Sequence, residues 1–128
     1  MNETYEKNSA SKEDYLELIY EFSNSKSDFK AVDIAKRMNI SRASVSEALQ
    51  KLASQGYIVY EKYKPAVLTE KGLELAEKVY NKHKVLCSFF KNHLNLSEEE
   101  SQINACRIEH VITESAFEKI KEMVETFE

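Results

Sequence analysis

The chain has 128 residues, of which 42% are hydrophobic and 31% charged, so it can bury the core of one domain or of two small ones. No run of about 18 apolar residues occurs, which excludes a membrane-spanning helix. Because only two glycines and one proline are available for turns, the composition favours a mainly α-helical fold. The polar N-terminus lacks the apolar core of a signal peptide, so we expect a cytoplasmic location in which Cys87 and Cys106 stay reduced.

The net charge of −4 argues against a nucleic-acid-binding protein, but this charge is unevenly distributed. Residues 1–25 contain 2 basic and 6 acidic side chains (−4), residues 26–71 contain 9 and 5 (+4), and residues 72–128 contain 7 and 11 (−4). Because DNA phosphates respond to local charge, the middle segment is a candidate DNA-binding module. The acidic remainder would repel DNA unless a bound cation neutralised part of it.

Apolar residues recur with helical spacing through the first part of the chain. The spacing predicts helices over residues 11–23, 30–38 and 42–55. The hydroxyl of Ser41 can cap the third helix, and Gly56 follows it, as glycine often does just past a helix end.

Two short β-prone runs come next, at residues 57–60 and 66–68, with Pro65 marking the turn between them. A helix, a tight turn, a second helix and a two-strand ribbon predict a winged helix-turn-helix. We therefore expect residues 1–70 to form a domain that binds double-stranded operator DNA.

The rest of the chain, residues 71–128, is predicted to be all-helical. Thr69 can cap a long helix that extends to about Asn92 and carries apolar residues on more than one stripe. Ser97 and Thr113 can cap two further helices. The predicted fold is thus mainly α, with an N-terminal winged helix-turn-helix and a small two-strand wing, joined by a long helix to an all-helical domain.

The second helix of such a module reads bases with its N-terminal residues. Here Arg42 can pair with guanine or phosphate, Ala43 can touch a thymine methyl, and Glu47 can accept from cytosine or stay solvated. Cations of the module and its wing suit phosphate contacts. The predicted DNA-binding residues are Lys30, Lys36, Arg37, Ser41, Arg42, Ala43, Ser44, Ser46, Glu47, Lys51, Lys62 and Lys64. The alternative is a winged helix that contacts only proteins, which leaves the basic wing unexplained.

Potential metal ligands recur at helical spacing on three predicted helices. They are Asp14, Glu17, His83, Cys106, Glu109 and His110. The first two are three residues apart and the last three follow an i, i+3, i+4 pattern, so each group would share one helix face. Thiolate, imidazole and carboxylate are ligands of first-row transition metals. Each residue alone also has an ordinary interpretation, such as a solvated acidic face or a buried thiol. The hypothesis of a metal site therefore depends on their joint spacing.

Together, residues 13–20, the winged helix, Lys82-His83 and residues 106–110 resemble the diphtheria toxin repressor family. Its manganese-responsive branch, the manganese transport regulators, is similar in length. The resemblance implies a homodimeric repressor with a winged helix, a helical dimerisation domain and divalent iron or manganese as corepressor. It also implies ligand roles for Asp14, Glu17, His83, Glu109 and His110.

The ligand set departs from either branch of the family. Cys106 stands where the manganese branch has a glutamate, whereas the iron branch has methionine where this chain has Asp14. The resemblance therefore implies a hybrid site for Mn²⁺ or Fe²⁺, with other divalent transition metals as substitutes in vitro. The iron branch also has an ancillary site that uses His83, but its two further positions here hold Cys87 and Gln102. We do not expect an intact ancillary site, although Cys87 stays open as a ligand of a second metal.

Two other functions remain open from the sequence. The first is a winged-helix regulator that senses an organic ligand or thiol oxidation through Cys87 or Cys106, without metal. The second is a small metal-dependent hydrolase with Glu109 as its base, but no glycine-rich substrate loop or nucleophile elbow supports it. The resemblance favours a repressor of metal-uptake genes that is not an enzyme, acts as a homodimer, and needs neither a membrane nor an organic cofactor.

Overall fold

The structure is a computed structural model that describes residues 11–25 and 29–127. The described residues form two compact units that divide after Glu77, within a long helix. No helix in these ranges has the length and hydropathy needed to cross a membrane.

The N-terminal unit is a winged helix-turn-helix, as predicted. Its elements are α1 (Lys12–Ser25), α2 (Ala31–Met38), α3 (Arg42–Ser54), β1 (Ile58–Val59), β2 (Val67–Leu68) and the first two turns of α4 (Glu70–Ser88). The two strands pair antiparallel, with Ile58 opposite Leu68. The core includes the fully buried side chains of Leu16, Ile34 and Leu49, one from each of the first three helices.

Local hydrogen bonds determine where α3, the predicted recognition helix that reads bases, begins. Asn39 adopts the left-handed conformation with φ of 59° and ends α2. Two residues later the Ser41 hydroxyl accepts from the backbone N–H of Ser44 at 3.0 Å, which caps α3 as predicted. Gly56 has φ of 87°, a conformation that costs glycine little, and redirects the chain from α3 into the wing.

The start of α4 is joined closely to the wing. The Thr69 hydroxyl accepts from the Gly72 backbone N–H at 3.1 Å and lies 2.6 Å from the Gly56 carbonyl oxygen, to which it donates. A Cβ at Gly72 would lie 2.0 Å from the Tyr57 carbonyl oxygen, so only glycine fits there. The helix therefore begins against the backbone of β1.

The C-terminal unit is helical, as predicted. After α4 the chain continues as a π-helical segment (Phe89–His93), followed by α5 (Glu98–Ile108) and α6 (Glu114–Phe127). The predicted helix to Asn92 is thus continuous, but its last turn is π-helical rather than α-helical. Ser97 caps α5 through the Glu100 N–H at 3.1 Å, and Thr113 caps α6 through the Ala116 N–H at 3.2 Å.

Candidate metal centre and DNA-binding surface

Three predicted ligands meet within the C-terminal unit. His83, from α4, places its Nδ1 2.7 Å from Glu109 Oε1, and His110 Nε2 lies 3.3 Å from Glu109 Oε2. Glu109 immediately follows α5 as its C-cap residue, with helical φ and ψ of −60° and −26°. One carboxylate therefore faces two imidazoles, each from a different part of the unit.

The Glu109 carboxylate is almost completely buried, with 1% of its surface exposed. Among the described residues, its Oε2 accepts no hydrogen bond. A buried carboxylate loses several kcal/mol of solvation unless positive charge or hydrogen bonds replace the water. Two imidazoles and an unsatisfied carboxylate oxygen, gathered at one buried point, are the donor set that a divalent transition metal takes. The residues present in this unit therefore fit a metal ion.

The two cysteines differ in environment, and neither is in a disulfide bond. Cys106 is exposed on α5, although it precedes the buried Glu109 by only three residues. Glu109, the C-cap residue, keeps helical φ and ψ, so the two residues still lie three helical positions apart and differ in exposure rather than in spacing. Cys87 is buried, and burial, followed by the negative charge of Glu98, raises the pKa of its thiol.

The remaining two predicted ligands belong to the N-terminal unit. Asp14 and Glu17 lie one turn apart on α1, and both side chains are half-buried. Asp14 also closes a capping box, because its Oδ2 accepts from the Ser11 backbone N–H at 2.9 Å and Ser11 Oγ accepts from the Asp14 N–H at 3.1 Å. This box holds the carboxylate at the start of α1, where the helix dipole favours negative charge. The Ser11 hydroxyl also donates to Asp14 Oδ2, at 3.1 Å.

Gln102 has a role that sequence analysis missed. The sequence placed it only at a position where the iron branch has an ancillary ligand. In the structure its Oε1 lies 2.7 Å from His83 Nε2, and its Nε2 donates to Glu98 Oε2 at 2.9 Å. Lys91 in turn donates to Glu98 Oε1 at 2.8 Å. The only sequence signal was the i, i+4 spacing of Glu98 and Gln102 on one helix.

The DNA-binding candidates surround a groove of about 420 Å³ in the N-terminal unit, between the start of α2, the start of α3 and the wing. Three cations stand at this groove, and alanine, valine and tyrosine side chains supply most of the rest of its wall. The lining residues are Lys30, Ala31, Val32, Arg42, Ala43, Ser46, Tyr60, Lys62 and Tyr63. Cations beside an apolar wall suit a DNA strand, with phosphates on the cations and sugars or thymine methyls on the wall.

Sequence analysis missed the two tyrosines of this groove. Tyr63, at the wing tip, is 78% exposed and has φ of 68°, and the Lys62 ammonium lies 5.3 Å from its ring centre. An exposed aromatic ring between two lysines is the one signal that could have identified it. Tyr60 is half-buried beside it.

Other predicted DNA contacts are distributed around this groove. Lys36, Ser44, Glu47 and Lys51 are exposed on α2 and α3, and Ser41 is exposed but used as the cap. Two predicted phosphate ligands already have acidic partners. Arg37 pairs with Glu21 at 2.9 Å and Lys64 with Glu61 at 3.0 Å, and all four side chains are exposed. Exposed pairs of this kind are weak and exchange readily for a phosphate.

Comparison with known proteins identifies two matching domains. Residues 7–66 match the N-terminal DNA-binding domain of the iron-dependent repressors, and residues 69–128 match their metal-binding and dimerisation domain. An HTH-type transcriptional regulator of Methanocaldococcus jannaschii is 38% identical over 120 residues, which are 93% of this chain and 96% of that protein. The HTH-type transcriptional regulator MntR of Geobacillus kaustophilus is 34% identical over 118 residues, which are 92% of this chain and 83% of that protein.

Solved structures agree with these matches. The manganese regulator SloR superposes with a TM-score of 0.79 at 32% identity, over 91% of this chain and 54% of that one. The chain therefore spans about half the length of that structure. Both family domains, in the expected order, cover nearly all described residues. The chain belongs to the iron-dependent repressor family, which combines a DNA-binding domain with a metal-binding and dimerisation domain.

Proposed function

We propose that the chain is a metal-responsive homodimeric repressor that binds operator DNA when Mn²⁺ or Fe²⁺ is bound. The observation that carries this proposal is the buried Glu109 carboxylate between His83 and His110. The names of the relatives support the choice of metal, because SloR is described as a manganese regulator.

Six residues would hold the ion in this proposal. They are Asp14 and Glu17 of the N-terminal unit, and His83, Cys106, Glu109 and His110 of the C-terminal unit. When bound, the cation neutralises carboxylate and thiolate groups that otherwise repel one another. Three of these residues already face each other within the C-terminal unit, whereas Asp14 and Glu17 contribute from α1, the helix that packs beneath the wing.

The coupling to DNA follows from where these ligands are attached. The α1 ligands belong to the unit that carries the recognition helix, and the others belong to the unit that matches a dimerisation domain. Ligands shared by both units would fix the spacing of two recognition helices in a dimer. Because half-sites on DNA are about one helical turn apart, or a multiple of it, only some spacings permit binding. Metal binding then favours the arrangement of the dimer that can bind DNA over its other arrangements.

The test is an anaerobic measurement of DNA affinity with Mn²⁺, with Fe²⁺ and with a chelator. The duplex is one selected from a random library by the metal-loaded chain. We expect the metal to tighten binding roughly 5- to 150-fold, the usual range of such couplings. Equal affinity in chelator contradicts the proposal and favours a regulator that senses something else. Arg42→Ala serves as a control that reduces DNA binding in every condition.

The ligand assignment needs its own measurement. His110→Ala and Glu17→Ala each remove one ligand, one from each unit, and should weaken Mn²⁺ binding in isothermal titration. Glu21→Ala, another acidic residue of α1 whose partner is Arg37, should leave Mn²⁺ affinity unchanged. Unchanged affinity in either ligand variant would remove that residue from the proposed set.

A further inference from the structure

A chain of hydrogen bonds ends on the outer side of the His83 ring. Lys91 donates to Glu98, Glu98 accepts from Gln102, and Gln102 contacts His83 Nε2, with distances of 2.8, 2.9 and 2.7 Å. We call Lys91, Glu98 and Gln102 the polar relay. None of its members is among the six proposed metal ligands, and all of them lie in the C-terminal unit. The relay joins the π-helical segment and α5 to the imidazole of α4.

The chemistry of each group gives these bonds a direction. A carboxylate only accepts hydrogen bonds, so the Gln102 end that faces Glu98 must be its NH₂ group. Hydrogen bonds from Lys91 and Gln102 lower the pKa of Glu98, which keeps it a carboxylate. The opposite end of the Gln102 amide is a carbonyl, which also only accepts. His83 Nε2 must therefore carry a hydrogen and donate it to Gln102.

The other ring nitrogen is then determined as well. In a neutral imidazole with hydrogen on Nε2, the lone pair is on Nδ1. Nδ1 is the atom that faces Glu109 Oε1, at 2.7 Å. Because two lone pairs at this distance repel each other, Nδ1 must carry either a proton, which it donates to Glu109, or a metal ion that takes the place of that proton. The tautomer selected by the relay is thus the one in which Nδ1 can bind a metal ion beside Glu109.

We propose that Gln102, oriented by Glu98 and Lys91, is a positioning residue that holds His83 in the tautomer and rotation needed for metal binding through Nδ1. This inference rests on the proposed function, because it assumes that His83 is a ligand. Outer hydrogen bonds of this type orient ligating imidazoles in metal sites generally, and their loss lowers metal affinity about 10- to 100-fold.

The relay is a poor candidate for a purely stabilising element. The Lys91 and Glu98 side chains are 52% and 60% exposed, and exposed ion pairs contribute little to stability. If the relay only stabilised the fold, its removal would change neither the tautomer of His83 nor the affinity for metal. Both quantities can be measured separately from DNA binding.

The first experiment measures the tautomer in the full-length chain loaded with Zn²⁺, a diamagnetic ion that replaces any proton on Nδ1. Long-range ¹H–¹⁵N spectra at alkaline pH distinguish hydrogen on Nε2 from hydrogen on Nδ1, and His93→Gln and His110→Gln variants assign the three histidines. We expect the wild-type His83 to carry its hydrogen on Nε2. In Gln102→Met, which keeps the side-chain length without the amide, the two tautomers should become mixed. An unchanged Nε2 tautomer in this variant would overturn the proposal.

The second experiment uses a matched pair of substitutions on one turn of α5. Glu98→Gln removes the acceptor that orients Gln102, whereas Glu99→Gln makes the same chemical change at an exposed residue outside the relay. In titrations with Mn²⁺, Gln102→Met should lose about 10- to 100-fold in affinity and Glu98→Gln less, with Glu99→Gln unchanged. Equal affinities in all four chains would contradict the inference.

These readouts separate the inference from the proposed function. If His83→Ala binds Mn²⁺ as tightly as the wild type, the ligand assignment fails, and with it the role given to Gln102 in metal binding. If His83→Ala loses affinity but Gln102→Met does not, the ligand assignment stands and the positioning role is wrong.

Discussion

At the scale of single residues, Glu109 is the side chain whose environment most requires an explanation. It is a carboxylate with 1% exposure, held between His83 and His110. A chain selected only for stability would have little reason to bury a charge there, because apolar replacements of buried ionic groups are often neutral or stabilising. The metal ion of the proposed function would supply the reason.

Glu109→Gln should therefore abolish most of the stabilisation that metal confers. A ligand that binds only the folded chain at about 100 times its dissociation constant adds roughly 2.7 kcal/mol to the free energy of unfolding. We expect the wild-type melting temperature to rise with Mn²⁺ and that of the variant to stay nearly constant. Glu118→Gln, an exposed change on α6, is the control and should respond like the wild type. The same rise in both variants would place Glu109 outside the site.

The two cysteines should differ in reactivity. Because burial and the charge of Glu98 raise the pKa of Cys87, less of it is thiolate at neutral pH, whereas Cys106 is exposed. Iodoacetamide should modify Cys106 first in the metal-free chain, as mass spectrometry of peptides would show. If Cys106 is a ligand, saturating Co²⁺ should slow its modification, and unaltered rates would argue against that role.

Metal choice depends on the same thiol. A thiolate favours Fe²⁺, Co²⁺ or Zn²⁺ over Mn²⁺, whereas Asp14, Glu17 and Glu109 offer hard oxygen atoms. Cys106→Glu should therefore raise the ratio of Mn²⁺ to Fe²⁺ affinity, measured by anaerobic titration of both metals into both proteins. An unchanged or lower ratio would mean that the thiol does not bind the ion or that geometry sets the preference.

At the scale of elements, the helices and strands follow the sequence closely because their causes are local. Ser41, Ser97 and Thr113 cap the helices that their positions predict, and each does so with a hydroxyl three residues before the N–H it binds. The π-helical segment was not predicted. The segment itself packs against both α5 and α6, and a local pattern carries no information about that packing.

The recognition helix offers a sharp test at this scale. Arg42 is exposed at its start and lines the groove beside the wing. Arg42→Ala should weaken specific DNA binding by about 1–3 kcal/mol if the residue reads a base, and should leave metal affinity nearly intact. Arg42→Lys keeps the charge but not the bidentate fork, and separates base reading from phosphate binding. Lys119→Ala, on α6, removes one charge elsewhere and should change binding little.

At the scale of the whole molecule, the proposed function couples metal binding to DNA binding. If metal tightens DNA binding by some factor, thermodynamic linkage requires DNA to tighten metal binding by the same factor. This reciprocity holds whatever the structural route between the two units.

Mn²⁺ titrations with and without saturating duplex should therefore give affinities whose ratio equals that of the DNA affinities with and without Mn²⁺. Analytical ultracentrifugation in the same conditions measures whether metal changes the fraction of dimer. A dimer that depended on metal would make the measured affinities depend on protein concentration. Unequal ratios at constant dimer fraction would show that the bound states differ from those proposed here.

The sequence by itself determined the helices, the wing, the uneven charge and the residue types able to bind a metal, because periodicity, caps and composition act over a few residues. Only the tertiary structure decided that Glu109 is buried while Cys106 is exposed, since burial depends on which side chains of other elements pack against each position. It also brought Gln102, 19 residues along the chain, within 2.7 Å of the His83 imidazole. Contacts between residues far apart in the chain depend on how whole elements pack, and no local spacing in the sequence records that packing.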